Sequence, residues 1–195
     1  MGSYLQTYLE RDVRQLTQVG DLASFEQFTR LCAARSGQLL SLAELARDAA
    51  VAATTAKRWL AVLEASGQFF RLPPFARSAT KRLVKSPKLY AADTGLAAFL
   101  TGHRDADVLW NGPLKGALFE TAVLGEALKR FHNAGDHPAV SFWRSSDGLE
   151  VDIVIEAGGK LHGIETKANA TPHPDMAGPL LAWRKLLGRE AGRTA

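Results

Sequence analysis

"GLEVDIVIEAGGKLHGIETK", residues 148–167, decides how the second half of this chain folds. Two runs of mixed apolar and charged residues flank Gly158-Gly159, and a Gly-Gly pair supplies the positive φ that a tight two-residue hairpin turn needs. Centred on that turn, Asp152 lies opposite Glu165 and Glu150 opposite Lys167. A four-residue loop with the same centre keeps these pairs, whereas a three-residue loop puts Asp152 and Glu165 on opposite faces. Side chains alternate along a strand, so all four charged residues project from one face of the hairpin. The other face shows Val151, Ile153 and Ile155 against Ile164, a surface built for packing.

Two directly opposed carboxylates repel unless a positive charge intervenes. A hard divalent cation supplies one, because Mg²⁺ accepts one or two carboxylates and keeps waters for a phosphate substrate. Lys167, on the same face, can hold or activate an attacking water, while the cation stabilises charge growing on the phosphate. Glu120 stands inside "ALFETAVL", among Leu118, Phe119, Val123 and Leu124, where a buried carboxylate requires a partner. The plainer alternative is a salt-bridged polar face on which Glu150 pairs with Lys167.

The spacing D-x12-E-x-K with an upstream helical Glu resembles the PD-(D/E)xK nuclease-like fold. By that resemblance Asp152 and Glu165 are metal ligands for Mg²⁺ (or Mn²⁺), Lys167 is the water-handling base or electrostatic partner, and Glu120 is an auxiliary ligand. Val151 stands where the family's proline would be.

The chain has 195 residues, 46% of them hydrophobic and 23% charged, which suits one large or two small globular domains. Its one cysteine, Cys32, excludes an internal disulfide framework, fits a cytoplasmic setting, and reads as a small core residue. No apolar run approaches the ~20 residues of a membrane helix. "MGS" can be read as an expression scar and "GREAGRTA" as an abrupt stop, so both ends look cut. The net charge of +4 is unevenly placed. Eight basic residues face one acid between Lys57 and Lys88, against 16 basic and 19 acidic residues elsewhere. Such concentration is an electrostatic footprint for a polyanion or an acidic partner, the bland alternative being a solvated basic face.

Along the chain, "YLQTYLERDVRQL" has helical spacing, and "SFEQ" and "SLAE" read as capping boxes opening two further helices. A short helix near 42–49, a turn and "TAKRWLAVLEASG" make a helix-turn-helix pattern. "QFFRLPPF" and "KRLVKSPKLYAAD" then read as strands joined by a basic loop, a winged helix over residues 4–101. Its expected nucleic-acid contacts are Thr55, Lys57, Arg58, Arg77, Lys81, Arg82 and Lys85. Residues 102–113 read as a polar linker. Residues 114–188 follow as a small restriction-endonuclease-like α/β domain: a helix, the strand "AVSFWR", the hairpin, and a helix near 175–187. The five histidines show no zinc spacing. Trp59 and Trp143 sit in apolar settings and read as core, while Trp110 is ambiguous.

From Tyr4 to Gly188 the chain resembles the C-terminal region of bacterial and archaeal AAA-type ATP-binding proteins. The resemblance is strongest at "KRLVKSPKLYAADTGLAAFL", and continues through "GALFETAVLGEALK" and the hairpin. It implies an ATPase module ahead of this region; no G-x-x-x-x-G-K-[ST] stretch occurs here, so this chain does not itself cradle a triphosphate by that device. The expected function is therefore a DNA-binding module with a Mg²⁺-dependent nuclease site, acting without a membrane. The rival is a non-catalytic adaptor that docks protein.

Overall fold

Asp21 opens the first helix of the computed structural model, which describes residues 21–75 and 84–195. Its carboxylate accepts from the Ser24 amide at 3.0 Å, and α1 runs Leu22–Ala34. The cap is thus Asp21, three residues earlier than the Ser24 expected from "SFEQ"; the Ser24 hydroxyl donates back to it. The second expected box holds. Ser41 accepts from the Glu44 amide at 3.4 Å and starts α2, Leu42–Asp48. α3, Ala53–Ala65, has no side-chain cap at Ala52. The expected helix over 4–16 and the loop residues Arg77, Lys81 and Arg82 lie outside the described residues.

The molecule is mixed α+β, with helices and two sheets. It divides into two compact units: the described residues up to Arg71 with Leu89–Leu118, and those of Leu72–Lys88 with Phe119–Ala195. In the first, α1, α2 and α3 bury Phe25, Phe28, Cys32, Leu45, Trp59 and Leu63 together. Trp59 meets Phe25 and Phe28 edge-on, at centroid distances of 5.5 and 5.6 Å. Burial pushes the Cys32 thiol far up, which leaves it an inert core group. Strands β1 (Gln38–Leu39), β2 (Phe69–Leu72) and β3 (Lys88–Ala91) form a sheet in the order β1-β3-β2. Pro73, which cannot donate to a ladder, follows β2 directly. α4, Thr94–Leu100, is capped by Asp93, whose carboxylate accepts from the Leu96 amide at 2.6 Å. The stretch read as a linker contains a further short helix, α5 (Ala106–Asn111), which Asp105 caps.

The unit boundary falls within α6, Lys115–Asn133. The second unit then builds a four-stranded sheet in the order β4 (Ala139–Arg144), β5 (Glu150–Ala157), β6 (Lys160–Ile164), β7 (Ala191–Thr194). β5 and β6 pair in the register set by the Gly-Gly turn, with Ile153 opposite Ile164 and Ala157 opposite Lys160. Gly158 and Gly159 both take positive φ, 57° and 70°, as that turn requires. β7 runs parallel to β6. Val151 through Ile155 are all buried, so β5 is covered on both faces and not only on one. α7, Gly178–Leu187, lays Trp183 over Gly163, where a Cβ would stand 2.6 Å from the indole. Only glycine lets strand and ring approach this closely. Trp183 meets Trp143 edge-on and Trp143 stacks on Phe75, completing the second core.

Candidate functional site

The hairpin that aligns the charged residues stops one pair short of them. Beyond Ile153 and Ile164 the chain following β6 leaves β5. The Glu165 amide donates instead to the Ala195 carbonyl, 2.9 Å away, just past β7. Asp152 then clamps the departing strand with its side chain. Its Oδ2 accepts from the Thr166 amide at 2.7 Å and from the Thr166 hydroxyl at 2.8 Å. Asp152 is 8% exposed, and the Glu165 side chain is 7% exposed.

Glu165 splits its two oxygens. Oε1 accepts from the Lys167 ammonium at 2.5 Å, while Oε2 is buried without a hydrogen-bond partner. Burial raises the Glu165 carboxyl above the usual carboxylate range, and the charge of Asp152 adds to this against the pull of Lys167. Burial also acts to lower Lys167, but Glu165, Asp152 and Glu120 together outweigh it and hold the ammonium above an ordinary lysine. Lys167 is therefore a cation at neutral pH, suited to electrostatic work beside a phosphate.

Glu150 does not pair with Lys167. It meets Lys88 at 2.7 Å and Arg144 at 3.3 Å, and the same Lys88 ammonium reaches Glu120 at 2.9 Å. The Lys88 side chain is 4% exposed and lies over the Phe142 ring. Burial would lower its pKa, but the two glutamates reverse this and raise it. The partner that a buried Glu120 requires is thus Lys88, 32 residues away. Lys88, Arg144 and Thr166 were all missed by sequence reasoning. A lysine between Pro87 and Leu89 on an apolar strand is the one signal that could have found Lys88.

Among the described residues, no group of three or more His, Cys, Asp or Glu side chains is arranged to hold a metal ion. The two residues expected to hold a cation are Asp152 and Glu165. Both are hard oxygen donors, and the unpartnered buried Oε2 of Glu165 is the group that a cation would satisfy. Two carboxylates fit the ordinary demands of Mg²⁺, which keeps most of its waters.

Of the expected nucleic-acid contacts, Lys57 and Arg58 are exposed on α3, Thr55 is half-buried there, and Lys85 is exposed. Arg77, Lys81 and Arg82 lie outside the described residues. Two basic residues counted in the charged stretch are already engaged, Lys88 with its glutamates and Arg71 with Glu64 at 2.5 Å. Trp59 and Trp143 are core, as their apolar settings implied; Trp110 is 46% exposed with the Lys115 ammonium over its ring.

These features define an α+β protein whose second unit gathers carboxylates and lysines around the end of one hairpin. No helix among the described residues is long and apolar enough to cross a membrane. The chain belongs to the family described as "Domain of unknown function (DUF8612)", whose model matches residues 1–107. Residues 115–194 match the model described as "Domain of unknown function (DUF4143)". The chain is 36% identical over 169 residues to "Uncharacterized protein Mb2031c" of Mycobacterium bovis and to "Uncharacterized protein Rv2008c" of Mycobacterium tuberculosis. Each match covers 87% of this chain and 37% of the relative's length. No solved structure matches.

Proposed function

We propose that this chain is the DNA-binding C-terminal module of an AAA-type ATPase, and that its second unit carries a Mg²⁺-dependent phosphodiesterase site. The observation that carries the site is the unpartnered, buried Oε2 of Glu165, held beside Asp152 and Lys167. A buried ionisable oxygen without a partner is costly, and such cost is characteristic of functional sites. Asp152 and Glu165 would hold the cation, which when bound supplies a Lewis acid and a more nucleophilic water. Lys167 contributes a fixed positive charge at the half-exposed edge of the site. Asp152 contributes in two ways, as a ligand and as the clamp on Thr166 that sets where Glu165 and Lys167 stand. Lys88 holds Glu120 and Glu150.

The architecture supports this reading in both halves. Helix, strand, two helices and two strands, with sheet order β1-β3-β2, are compatible with the winged-helix reading, in which α3 would present Lys57 and Arg58. A helix, an antiparallel run of three strands and a second helix are compatible with the nuclease-like reading of the second unit. The DUF4143 family is common in AAA-ATPase-associated proteins, and the longer mycobacterial relatives leave room for such a module.

The test is cleavage of a labelled oligonucleotide with Mg²⁺ or Mn²⁺ by wild type, Asp152→Asn and Lys167→Ala. Both variants should lose cleavage while keeping binding; Lys167→Ala should stay folded, as read by circular dichroism, but melt below wild type, because the Glu165 side chain it leaves behind is 7% exposed. Binding should weaken steeply with salt, and Lys57→Ala with Arg58→Ala should flatten that slope. Absence of cleavage by wild type together with salt-insensitive binding sinks the proposal. The adaptor reading draws on one observation, that Lys167 already neutralises Glu165 by itself.

A further inference from the structure

The second unit contains a cavity of about 460 Å³ whose wall includes Glu165, Thr166 and Lys167. Of the proposed cation ligands, Glu165 lines this cavity and Asp152 does not. Phe119 of α6, Met176 and Leu180 also line it, as do the exposed Asn169 and His173. The cavity is apolar over most of its lining, with charge concentrated where Lys167 and Glu165 contribute.

We infer that this cavity receives one unpaired nucleobase of a nucleic-acid strand, with the adjoining phosphate at Lys167. The inference rests on the proposed cation site and adds the strand form of its substrate. Three observations lead to it. The volume suits a ligand the size of a nucleoside, and a base must leave its duplex partner to be seated among these side chains. An apolar wall with one aromatic ring is hostile to a bare phosphate but suits a base, which offers a π-face to Phe119. Asn169 and His173 can donate to and accept from base edges, as single-strand recognition uses polar side chains. The shared residues then set the register: a base in the cavity leaves its phosphate beside Lys167 and Glu165.

The experiment measures fluorescence anisotropy of labelled pentathymidylate, too short to form a duplex, and of a 20-base-pair duplex, both with Ca²⁺ in place of Mg²⁺ to suppress turnover. Each is titrated with the full chain and with Met176→Trp, which fills the cavity from a half-buried position. Ala177→Phe serves as a second filling variant, and thermal melting verifies that both fold. Pentathymidylate affinity should fall at least tenfold in the filled variants, with duplex affinity unchanged. Pentathymidylate binding that survives both fillings overturns the inference. So does an equal loss of duplex binding. The two readings fail separately. Mg²⁺-dependent cleavage that persists in Met176→Trp leaves the cation site standing and removes the base pocket. Loss of pentathymidylate binding on filling, in a protein that never cleaves, keeps the pocket and removes the nuclease.

Discussion

Replacing Lys88 with Met tests whether the charged cluster behind the site is held by one buried cation. Met keeps the length and apolar stem of lysine, so little cavity cost is added. What is lost is a positive charge 2.9 Å from Glu120 and 2.7 Å from Glu150, on a side chain 4% exposed. Removing one partner of a buried ion pair costs about 3–5 kcal/mol. The lower end applies here, because Glu150 keeps Arg144 and is itself 27% exposed. We expect a loss of about 3 kcal/mol, read as a lower urea midpoint at unchanged slope. The raised pKa of Lys88 means its contribution is complete below the ordinary lysine value and is lost only as pH rises through its folded value, so at neutral pH the full effect is seen. Adding Glu120→Gln to Lys88→Met should recover part of the loss, the non-additivity expected of contacting residues. A Lys88→Met protein within about 0.5 kcal/mol of wild type, the ordinary range for a surface change, would refute the reasoning.

Gly163→Ala places a methyl 2.6 Å from the fully buried Trp183 ring and 3.2 Å from Leu180. It should cost about 1–3 kcal/mol by overpacking, visible as a lower thermal midpoint and a disturbed near-ultraviolet tryptophan spectrum. Glu165, with its pKa raised by burial, should destabilise the fold progressively as pH rises from the ordinary carboxylate value through its raised folded one. Glu165→Gln removes that ionisation, so denaturation midpoints should move in the variant's favour as pH rises above the ordinary carboxylate range; parallel curves would contradict the assignment.

How much of this was legible in the sequence divides along local and distant causes. Gly158-Gly159 carries its register within itself, because φ > 0 at two consecutive residues leaves few turns, and the β5–β6 pairs follow. Ser41 and Asp93 declare their helices through oxygen acceptors one turn from an amide. Asp21 was passed over because Ser24 offers the same chemistry three residues on, and only the structure shows which oxygen caps. Glu150 was assigned to Lys167 because alternation assumes that pairing continues; β6 departs at Ile164, so the two never become neighbours. Its actual partner, Lys88, is 62 positions away and looked like one more charge in a basic stretch. β7, written Ala-Gly-Arg-Thr, lacks the β-branched run that announces a strand, and pairing with β6 alone creates it. The carboxylate pair was therefore visible as a composition, while what orients it, Thr166 and the Ala195 carbonyl, was not.

The order in which the chain visits its two units has a consequence for anyone who would take the protein apart. It passes from one to the other at Arg71, returns at Lys88 and leaves again at Leu118. The middle excursion delivers Phe75 to the Trp143 stack, and Lys88 to Glu120 and Glu150. Cutting once near residue 114 does not yield two self-sufficient pieces. The downstream fragment keeps every carboxylate of the candidate site but loses the lysine that neutralises two of them and an aromatic of its core. The same interlacing restricts gene shuffling: this second unit cannot be transplanted as a terminal cassette unless residues 72–88 travel with it.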